Sequence, residues 1–203
     1  MTLPPLTDKE NFRIELAKAI SSQIALLPLH DDMRAMEYGC GTGLVGLGLA
    51  NRLASLVAAD SSPGMLEILK AKISEQGIKN VFPQHLDLHH DDCEQDFDLI
   101  FSSMTLHHLA DIDCILTKLF HCLKPGGIIA LADLDEEDGS FHQDNPEGVM
   151  HHGFNRKELA RNLERLGFSS IHVNTVQTIR RKNSQGDEKL YPVFLLTALK
   201  DKH

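Results

Sequence analysis

Four glycines lie in the eleven-residue stretch MEYGCGTGLVG, residues 36–46. Glycines at such short spacing allow unusual backbone angles and let the chain come close to a charged small molecule. Gly39, Gly41 and Gly43 form a G-x-G-x-G pattern. From Gly41 to Gly46 the same stretch also forms G-x-G-x-x-G, the spacing of dinucleotide-binding proteins. The stretch therefore predicts a cofactor-binding loop, and its two overlapping patterns indicate different cofactors.

Acidic residues at predicted strand ends help to decide between the two cofactors. Ligands of an open parallel sheet bind beyond the carboxyl ends of its strands, where these residues lie. Asp60 ends the second strand, where a carboxylate can accept hydrogen bonds from a ribose. Dinucleotides and S-adenosylmethionine (SAM) both carry that ribose. Glu37, directly before the glycines, suits a positive ammonium group and would repel a pyrophosphate. Asp87 ends the third strand and is placed to accept from an adenine amino group. These residues favour SAM over NAD.

Histidine is the other residue type that could do chemistry, and the chain has twelve. Imidazole titrates near neutral pH and suits base catalysis. The long polar segment 135–153 carries His142 and His152, which we predict to be catalytic or to contact the substrate. His107 and His108 follow the predicted fourth strand, and we expect at least one of them to be structural. No metal site is predicted.

Alternating strands and helices must position these residues, and they imply a parallel sheet with helices on both faces. Only about ten residues lie between the third and fourth strands, so we expect one turn or an acidic loop there instead of a full helix. Strands are predicted over 34–38, 55–60, 80–88, 96–104 and 128–134, followed by a closing hairpin around RRKNSQGDEK. Helices are predicted over 11–27, from the glycine stretch through Leu53, from 61 or 62 to 77, over 112–123 and over 155–167.

Length and composition indicate a globular protein of one domain. The chain has 203 residues, of which 42% are hydrophobic and 24% charged. Its net charge of −9 disfavours nucleic acid or an anionic membrane as the main partner. The N-terminus lacks the order of a signal peptide and no apolar run has membrane-spanning length, so a cytoplasmic location is expected. The four cysteines form no C-x-x-C pair, and we expect reduced thiols.

Five segments in the same order resemble class I SAM-dependent methyltransferases, within the ubiquinone and menaquinone methyltransferase subgroup (type 11/12 methyltransferase domains). The family's first motif, E/D-x-G-x-G-x-G, is matched by EYGCGTG, and the second by AADSSPGMLEIL, with Asp60 as the ribose acid. The segment HLDL resembles the family's adenine-contacting segment. The segments FDLIFSSMTLHHL and LKPGGIIALADL resemble the fourth and fifth strands of the subgroup.

The resemblance implies a Rossmann-like three-layer αβα sandwich. Its seven-stranded, mostly parallel sheet would have the order 3-2-1-4-5-7-6, with strand seven antiparallel. A single methyltransferase domain is expected over 1–203, with 1–30 as an N-terminal helical extension. SAM would be the methyl donor and S-adenosylhomocysteine the product. The implied cofactor-binding residues are Glu37, Gly39, Cys40, Gly41, Gly43, Asp60, Ser61, Met65, Asp87, Leu88 and Ser103.

The methyl acceptor is predicted to be a small molecule. The sequence SSMT stands where exocyclic-amine and many nucleic-acid methyltransferases carry N/D/S-P-P-Y/F/W, and the chain is acidic. Three alternatives stay open: a protein or RNA methyltransferase, an NAD-dependent oxidoreductase using the second glycine pattern, and a SAM-binding protein without catalysis. The sequence identifies neither the acceptor atom nor the oligomeric state.

Overall fold

A computed structural model describes residues 8–93, 96–143, 145–182 and 188–202 of the protein. The strands are β1 (Arg34–Tyr38), β2 (Ser55–Asp60), β3 (Val81–His85), β4 (Phe97–Ser103), β5 (Leu123–Leu134), β6 (Phe168–Lys182) and β7 (Glu188–Lys200). The α-helices are α1 (Asp8–Ile24), α2 (Gly46–Leu49), α3 (Pro63–Gln76), α4 (Ile112–Cys122) and α5 (Arg156–Leu166). Short 3₁₀ turns cover Ala50–Arg52, Leu106–His108 and Ser140–His142.

The seven strands form one sheet in the order β3-β2-β1-β4-β5-β7-β6. Strands β1 to β5 run parallel, and β7 is antiparallel to both of its neighbours. This is the fold class and strand order that the sequence predicted. Because the order reverses between β1 and β4, the loops that follow these two strands border the crevice where ligands of such sheets bind.

Helix boundaries follow the capping residues in the sequence. The Ser62 hydroxyl accepts a hydrogen bond from the Met65 N–H at the start of α3, with Pro63 in the first turn. Gly77 ends the helix at φ 67°, which a glycine adopts at little cost. Asn155 caps α5 through the N–H groups of Lys157 and Glu158. The β2–α3 loop is thereby fixed beside the glycine loop.

Apolar side chains cover both faces of the sheet, as alternation along its strands requires. On one face Ile20 of α1, Leu49 of α2 and Leu69 of α3 belong to one buried cluster. On the other face Leu116 of α4 and Leu163 of α5 belong to a second buried cluster. The two layers of helices hold the sheet rigid, and its carboxyl edge carries the polar side chains described below.

Several details differ from the sequence-based expectations. Strand β5 begins at Leu123, so the KPGG stretch lies within it and not in a turn before it. Strand β3 ends at His85, and a turn follows it instead of further strand. Cys93 and Cys122 are paired as a disulfide with their Cα atoms 5.7 Å apart, whereas we expected reduced thiols. The two cysteines are 29 residues apart in the chain, so the sequence did not indicate that the β3–β4 segment lies against the end of α4.

The tip of the predicted closing hairpin, residues 183–187, lies outside the described residues. The two strands that flank it, β6 and β7, pair antiparallel from Lys182 with Glu188 to Phe168 with Lys200. No helix among the described residues is long and apolar enough to cross a membrane.

Candidate functional site at the carboxyl edge of the sheet

Three glycines of the β1–α2 loop have positive φ angles: 71° at Gly39, 51° at Gly41 and 77° at Gly43. A Cβ atom on Gly39 would lie 2.2 Å from Cγ2 of Thr105, and one on Gly43 would lie 2.5 Å from Cδ1 of Leu69. These two glycines are needed for packing within the protein. A Cβ on Gly41 would meet nothing within 4 Å. The loop therefore presents open space at Gly41, where a ligand can approach the backbone.

Asp60 connects two loops at the end of β2. Its Oδ2 accepts a hydrogen bond of 2.7 Å from the Gly41 N–H, and its Oδ1 accepts one of 2.8 Å from the Ser62 N–H. Each carboxylate oxygen can accept a second hydrogen bond. Asp60 thus fixes the loop on which Gly41 lies and keeps acceptor capacity for hydroxyl groups, which fits the predicted ribose contact.

Glu37 is only 2% exposed and lies beneath the glycine loop. Burial raises the pKa of its carboxyl to about 8; the N–H of Gly46 opposes that rise and the charge of Asp60 adds to it. A Cβ on Gly46 would lie 2.2 Å from Oε2 of Glu37, so this position must be glycine. The second glycine pattern is therefore explained by packing against Glu37, without a dinucleotide.

One oxygen of the buried Glu37 carboxyl, Oε2, has no hydrogen-bond partner among the described residues. Buried polar atoms are normally satisfied, and an orphan acceptor beside a ligand loop fits a donor supplied by the ligand. The cationic amino group of SAM is such a donor. Together with the open space at Gly41 and the free acceptor capacity of Asp60, this oxygen makes the loop compatible with SAM.

Other predicted cofactor residues occupy different settings. The Cys40 thiol is buried, which raises its pKa and makes it a poor nucleophile. Ser61 and Met65 are exposed beside Asp60, whereas Leu88 is fully buried. Ser103 is half-buried at the end of β4. Their contacts with a cofactor stay a prediction.

The Asp87 carboxylate is already engaged in a turn. It accepts hydrogen bonds of 3.0 Å from the His89 N–H and of 3.0 Å from Nδ1 of His90, and the bond from His90 is the main cause of its lowered pKa. The pairing with exposed His90 is a surface contact that a ligand can displace. The adenine contact of Asp87 stays a prediction.

Thr105 is a residue of the site that the sequence did not reveal. Its hydroxyl lies 3.1 Å from the Gly39 carbonyl oxygen and 3.0 Å from that of Ser103. It therefore joins the glycine loop to the end of β4. The preceding residue, Met104, has φ 53°, which turns the chain sharply after the strand. Thr105 lies within the SSMT segment, but nothing in that segment indicates a contact with the glycine loop.

Next to Thr105, a buried histidine pairs with a buried carboxylate. His107 Nδ1 lies 2.6 Å from Oδ1 of Asp133, and both side chains are almost completely buried. Asp133 also accepts from the N–H groups of Leu134, at 2.7 Å, and His107, at 3.3 Å. The pair joins the segment after β4 to the end of β5. The sequence placed His107 after the fourth strand without predicting that it pairs with Asp133.

His142 joins this pair from the long segment 135–153. Its ring centroid lies 4.9 Å from that of His107, which in turn lies 4.1 Å from that of His108. Burial, followed by the neighbouring His107 and His108, lowers the pKa of His142 to about 4. We call His107, His108 and His142 the histidine cluster. His142 was predicted to be functional from sequence, and the structure shows which residues surround it.

His152, the second predicted catalytic residue, lies in a different place. Its ring is 59% exposed, with Nδ1 3.7 Å from Oε1 of Glu137, and it packs by Gly139. Among the described residues, no ring contact joins it to the histidine cluster. Both ends of the segment are nevertheless tied together, because Asp135 pairs with Phe154 and the Glu137 N–H donates to the His152 carbonyl at 2.8 Å.

Comparison with known proteins bears on the glycine loop and the sheet. A family model described as "Methyltransferase domain" matches residues 35–127. The chain is 34% identical over 133 residues to the biotin biosynthesis bifunctional protein BioCD of Bordetella avium, covering 63% of this chain and 27% of that protein. It is 30% identical over 105 residues to a ubiquinone biosynthesis O-methyltransferase of Chelativorans, covering 52% and 42%. Residues 35–127 of this chain are therefore similar to methyltransferase domains.

Solved structures of other proteins share the fold of this chain. The YcgJ protein of Bacillus subtilis superposes with a TM-score of 0.74 at 15% identity, covering 92% of this chain and 99% of that one. Phosphoethanolamine N-methyltransferase 2 of Haemonchus contortus, solved with SAM, superposes with a TM-score of 0.73 at 16% identity, covering 96% and 57%. The chain spans less than half the length of the two curated relatives named above. The match to a methyltransferase domain favours SAM over NAD as the ligand of the glycine loop.

Proposed function

We propose that this protein transfers the methyl group of SAM to a small-molecule acceptor. The observation that carries the proposal is the β1–α2 loop, which has open space at Gly41, the Asp60 carboxylate bonded to the Gly41 N–H, and a buried Glu37 oxygen without a partner among the described residues. A ribose diol and a cationic amino group are the two ends of SAM that these carboxyl groups suit. The similarity of residues 35–127 to methyltransferase domains gives the proposal its reaction type.

In this proposal each residue of the site makes a particular contact with SAM. Asp60 accepts hydrogen bonds from the ribose hydroxyls, and Glu37 accepts one from the amino group. The backbone at Gly39, Cys40, Gly41 and Gly43 approaches the cofactor, while Ser61, Met65, Asp87, Leu88 and Ser103 border the adenosine. When bound, SAM supplies a methyl group already activated on a sulfonium. The protein therefore mainly has to orient the two reactants and exclude water.

The acceptor side is assigned to segment 135–153. The segment begins at the carboxyl end of β5, on the same sheet edge as the glycine loop, and its tied ends make it a compact loop of the kind that often binds substrate. His142 is the proposed acceptor-contacting residue, because it joins the histidine cluster. His152 is retained as a weaker candidate, since it is exposed beside Glu137.

Two observations support an acceptor of low molecular weight. The net charge of −9 repels a nucleic-acid backbone. Relatives include a trans-aconitate 2-methyltransferase of Deinococcus radiodurans, 31% identical over 121 residues, as well as the ubiquinone O-methyltransferase. These names describe small acceptors of those proteins, and they favour the same class for this one.

The test is methyl transfer from labelled SAM into a fractionated cell extract. The protein is incubated separately with the metabolite, RNA and protein fractions, and S-adenosylhomocysteine is measured in parallel. Label in the metabolite fraction, absent with the Asp60→Ala variant, is the expected result. Label in the RNA or protein fraction would overturn the acceptor class, and SAM binding without label in any fraction would favour a non-catalytic SAM-binding role.

A further inference from the structure

The histidine cluster has the composition and spacing of a metal site. One imidazole nitrogen from each of His107, His108 and His142 lies within 4.8 Å of one from each of the others. Bonds of about 2.0–2.1 Å from three imidazoles to one tetrahedral zinc ion would require these nitrogens to be roughly 3.4 Å apart. Small rotations of the exposed His108 ring and the half-buried His142 ring would close the difference.

Hydrogen bonds orient two of the three rings for binding a cation. His107 Nδ1 lies 2.6 Å from the Asp133 carboxylate, and His108 Nδ1 lies 2.8 Å from the Gly148 carbonyl oxygen. A carboxylate or carbonyl oxygen only accepts, so Nδ1 is the donor in both rings. Each Nε2 therefore carries its lone pair outward, free to ligate. A metal-bound histidine typically donates its other N–H to a carboxylate or backbone carbonyl in this way.

The third ring contributes an unsatisfied polar atom. Nδ1 of His142 is buried and has no hydrogen-bond partner among the described residues. Buried polar groups rarely lack a partner, so this nitrogen calls for a ligand that the protein itself does not supply. Core packing does not explain why the oriented rings of His107 and His108 lie beside the buried, unpartnered nitrogen of His142.

We propose that the histidine cluster binds a divalent transition-metal ion of the zinc type. Imidazole nitrogens suit Zn²⁺, Co²⁺ and Ni²⁺, whereas Ca²⁺ and Mg²⁺ prefer oxygen ligands. The fully buried carboxylate of Asp133, bonded to His107, partly offsets the charge of the ion. Three protein ligands leave a fourth position open, as in catalytic zinc sites.

The position of the site connects it to the cofactor loop. His107 lies two residues after Thr105, whose hydroxyl contacts the Gly39 carbonyl oxygen. Burial falls from His107 through His142 to His108, so the open position of the ion faces outward at the sheet edge. An acceptor oxygen, nitrogen or sulfur atom that took this position would be polarised by the ion. The metal site itself does not depend on the proposed methyl transfer.

Titration of the metal-free protein with Zn²⁺ by calorimetry tests the proposal, with Co²⁺ absorption as a report on ligand geometry. We expect one strong site per chain and tetrahedral Co²⁺ bands. His108→Ala and His142→Ala should each weaken Zn²⁺ binding by about a hundredfold, by losing one of three ligands. His152→Ala is the matched control, because it removes an exposed histidine from the same segment and should change the zinc affinity by less than about twofold.

SAM affinity, measured on the same samples, shows that each variant is folded and keeps this test separate from that of the proposed function. Zinc binding that survives in both His108→Ala and His142→Ala would overturn the proposal, as would the absence of a strong site in the unmodified protein. Equal loss in His152→Ala would place the ion elsewhere on the segment. Because His108 is exposed, its replacement should leave the fold intact even if that of buried His107 does not.

Discussion

Two parts of this sheet edge are built in different ways: the glycine loop with Asp60, where we propose that SAM binds (the cofactor side), and the histidine cluster, where we propose that the acceptor binds (the acceptor side). On the cofactor side, backbone N–H groups of Gly41 and Ser62 bind one carboxylate, Asp60, within a short stretch of chain. On the acceptor side, side chains from three separate segments meet, and the contact between His108 and Gly148 spans 40 residues. The family model matches 35–127, which includes the glycine loop and leaves out Asp133 and His142.

The difference teaches that the cofactor side depends on backbone geometry, which a short glycine pattern can encode. The acceptor side depends on side chains that only the folded chain brings together. Changes on the first side should therefore alter SAM affinity, and changes on the second should alter turnover while SAM affinity stays the same. The variants below test that division, beginning with the largest expected effect.

Replacing Gly41 by valine should weaken SAM binding by roughly a thousandfold, about 4 kcal/mol. The added side chain would fill the open space where we place the cofactor. Gly77→Val is the matched control. Gly77 also has a positive φ, 67°, and a Cβ atom added there would also meet no other atom within 4 Å. Calorimetry should show normal SAM affinity for Gly77→Val; equal losses in both variants would mean that backbone strain, not cofactor contact, causes the effect.

Replacing His142 by alanine should lower turnover of the acceptor by about a hundredfold, because the loss of a proposed acceptor contact would misplace the acceptor relative to the methyl group. His152→Ala should have a smaller effect, since that ring is 59% exposed and lies by Glu137. SAM affinity should stay within about twofold in both. Turnover is followed with labelled SAM and the active metabolite fraction. A collapse of SAM affinity in His142→Ala would make segment 135–153 part of the cofactor side.

Replacing Asp60 by alanine should weaken SAM binding by roughly ten- to a hundredfold, since hydrogen bonds to charged groups contribute about 1.5–3 kcal/mol. Asp98→Ala is a suitable control, because Asp98 accepts bonds from the Arg34 N–H and the Lys124 ammonium at the opposite edge of the sheet. It should alter stability and leave SAM affinity unchanged. Unchanged SAM affinity in Asp60→Ala would place the ribose elsewhere.

The buried Glu37 carboxyl should make stability depend on pH. Its folded-state pKa, about 8, lies above the ordinary value of 4.5, so unfolding releases a proton between these two pH values. The contribution is fully present below about pH 4.5 and is lost as pH rises through 8, at about 1.4 kcal/mol per pH unit. Denaturant unfolding of Glu37→Gln should lack this slope, whereas exposed Glu67→Gln should retain it. A Glu37→Gln profile parallel to that of the unmodified protein would contradict the assignment.

The sequence predicted the layers and the cofactor loop because both depend on short-range patterns, whereas the strand order was implied by the resemblance to the methyltransferase family. Alternating apolar strands and capped helices, such as α3 between Ser62 and Gly77, specify the layers. The glycine spacing specifies the loop. The positive φ of Gly41 and its bond to Asp60 are consequences of that spacing.

The acceptor side could be predicted only in part. His142 was singled out because the segment after β5 is long and polar, but its neighbours His107 and Asp133 lie 35 and 9 residues away in the chain. Nothing in the sequence indicates that the ring of His107 turns inward to the Asp133 carboxylate. The Cys93–Cys122 pair was missed for the same reason, since only the folded chain brings the two residues together.

The central claim is that the β1–α2 loop binds SAM, and calorimetry with SAM and with NAD tests it most directly. The unmodified protein should bind one SAM per chain and should not bind NAD at concentrations where SAM saturates. Binding of SAM should be lost in Gly41→Val and kept in Gly77→Val. Binding of NAD without binding of SAM, or SAM binding that is unaffected by Gly41→Val, would contradict the claim.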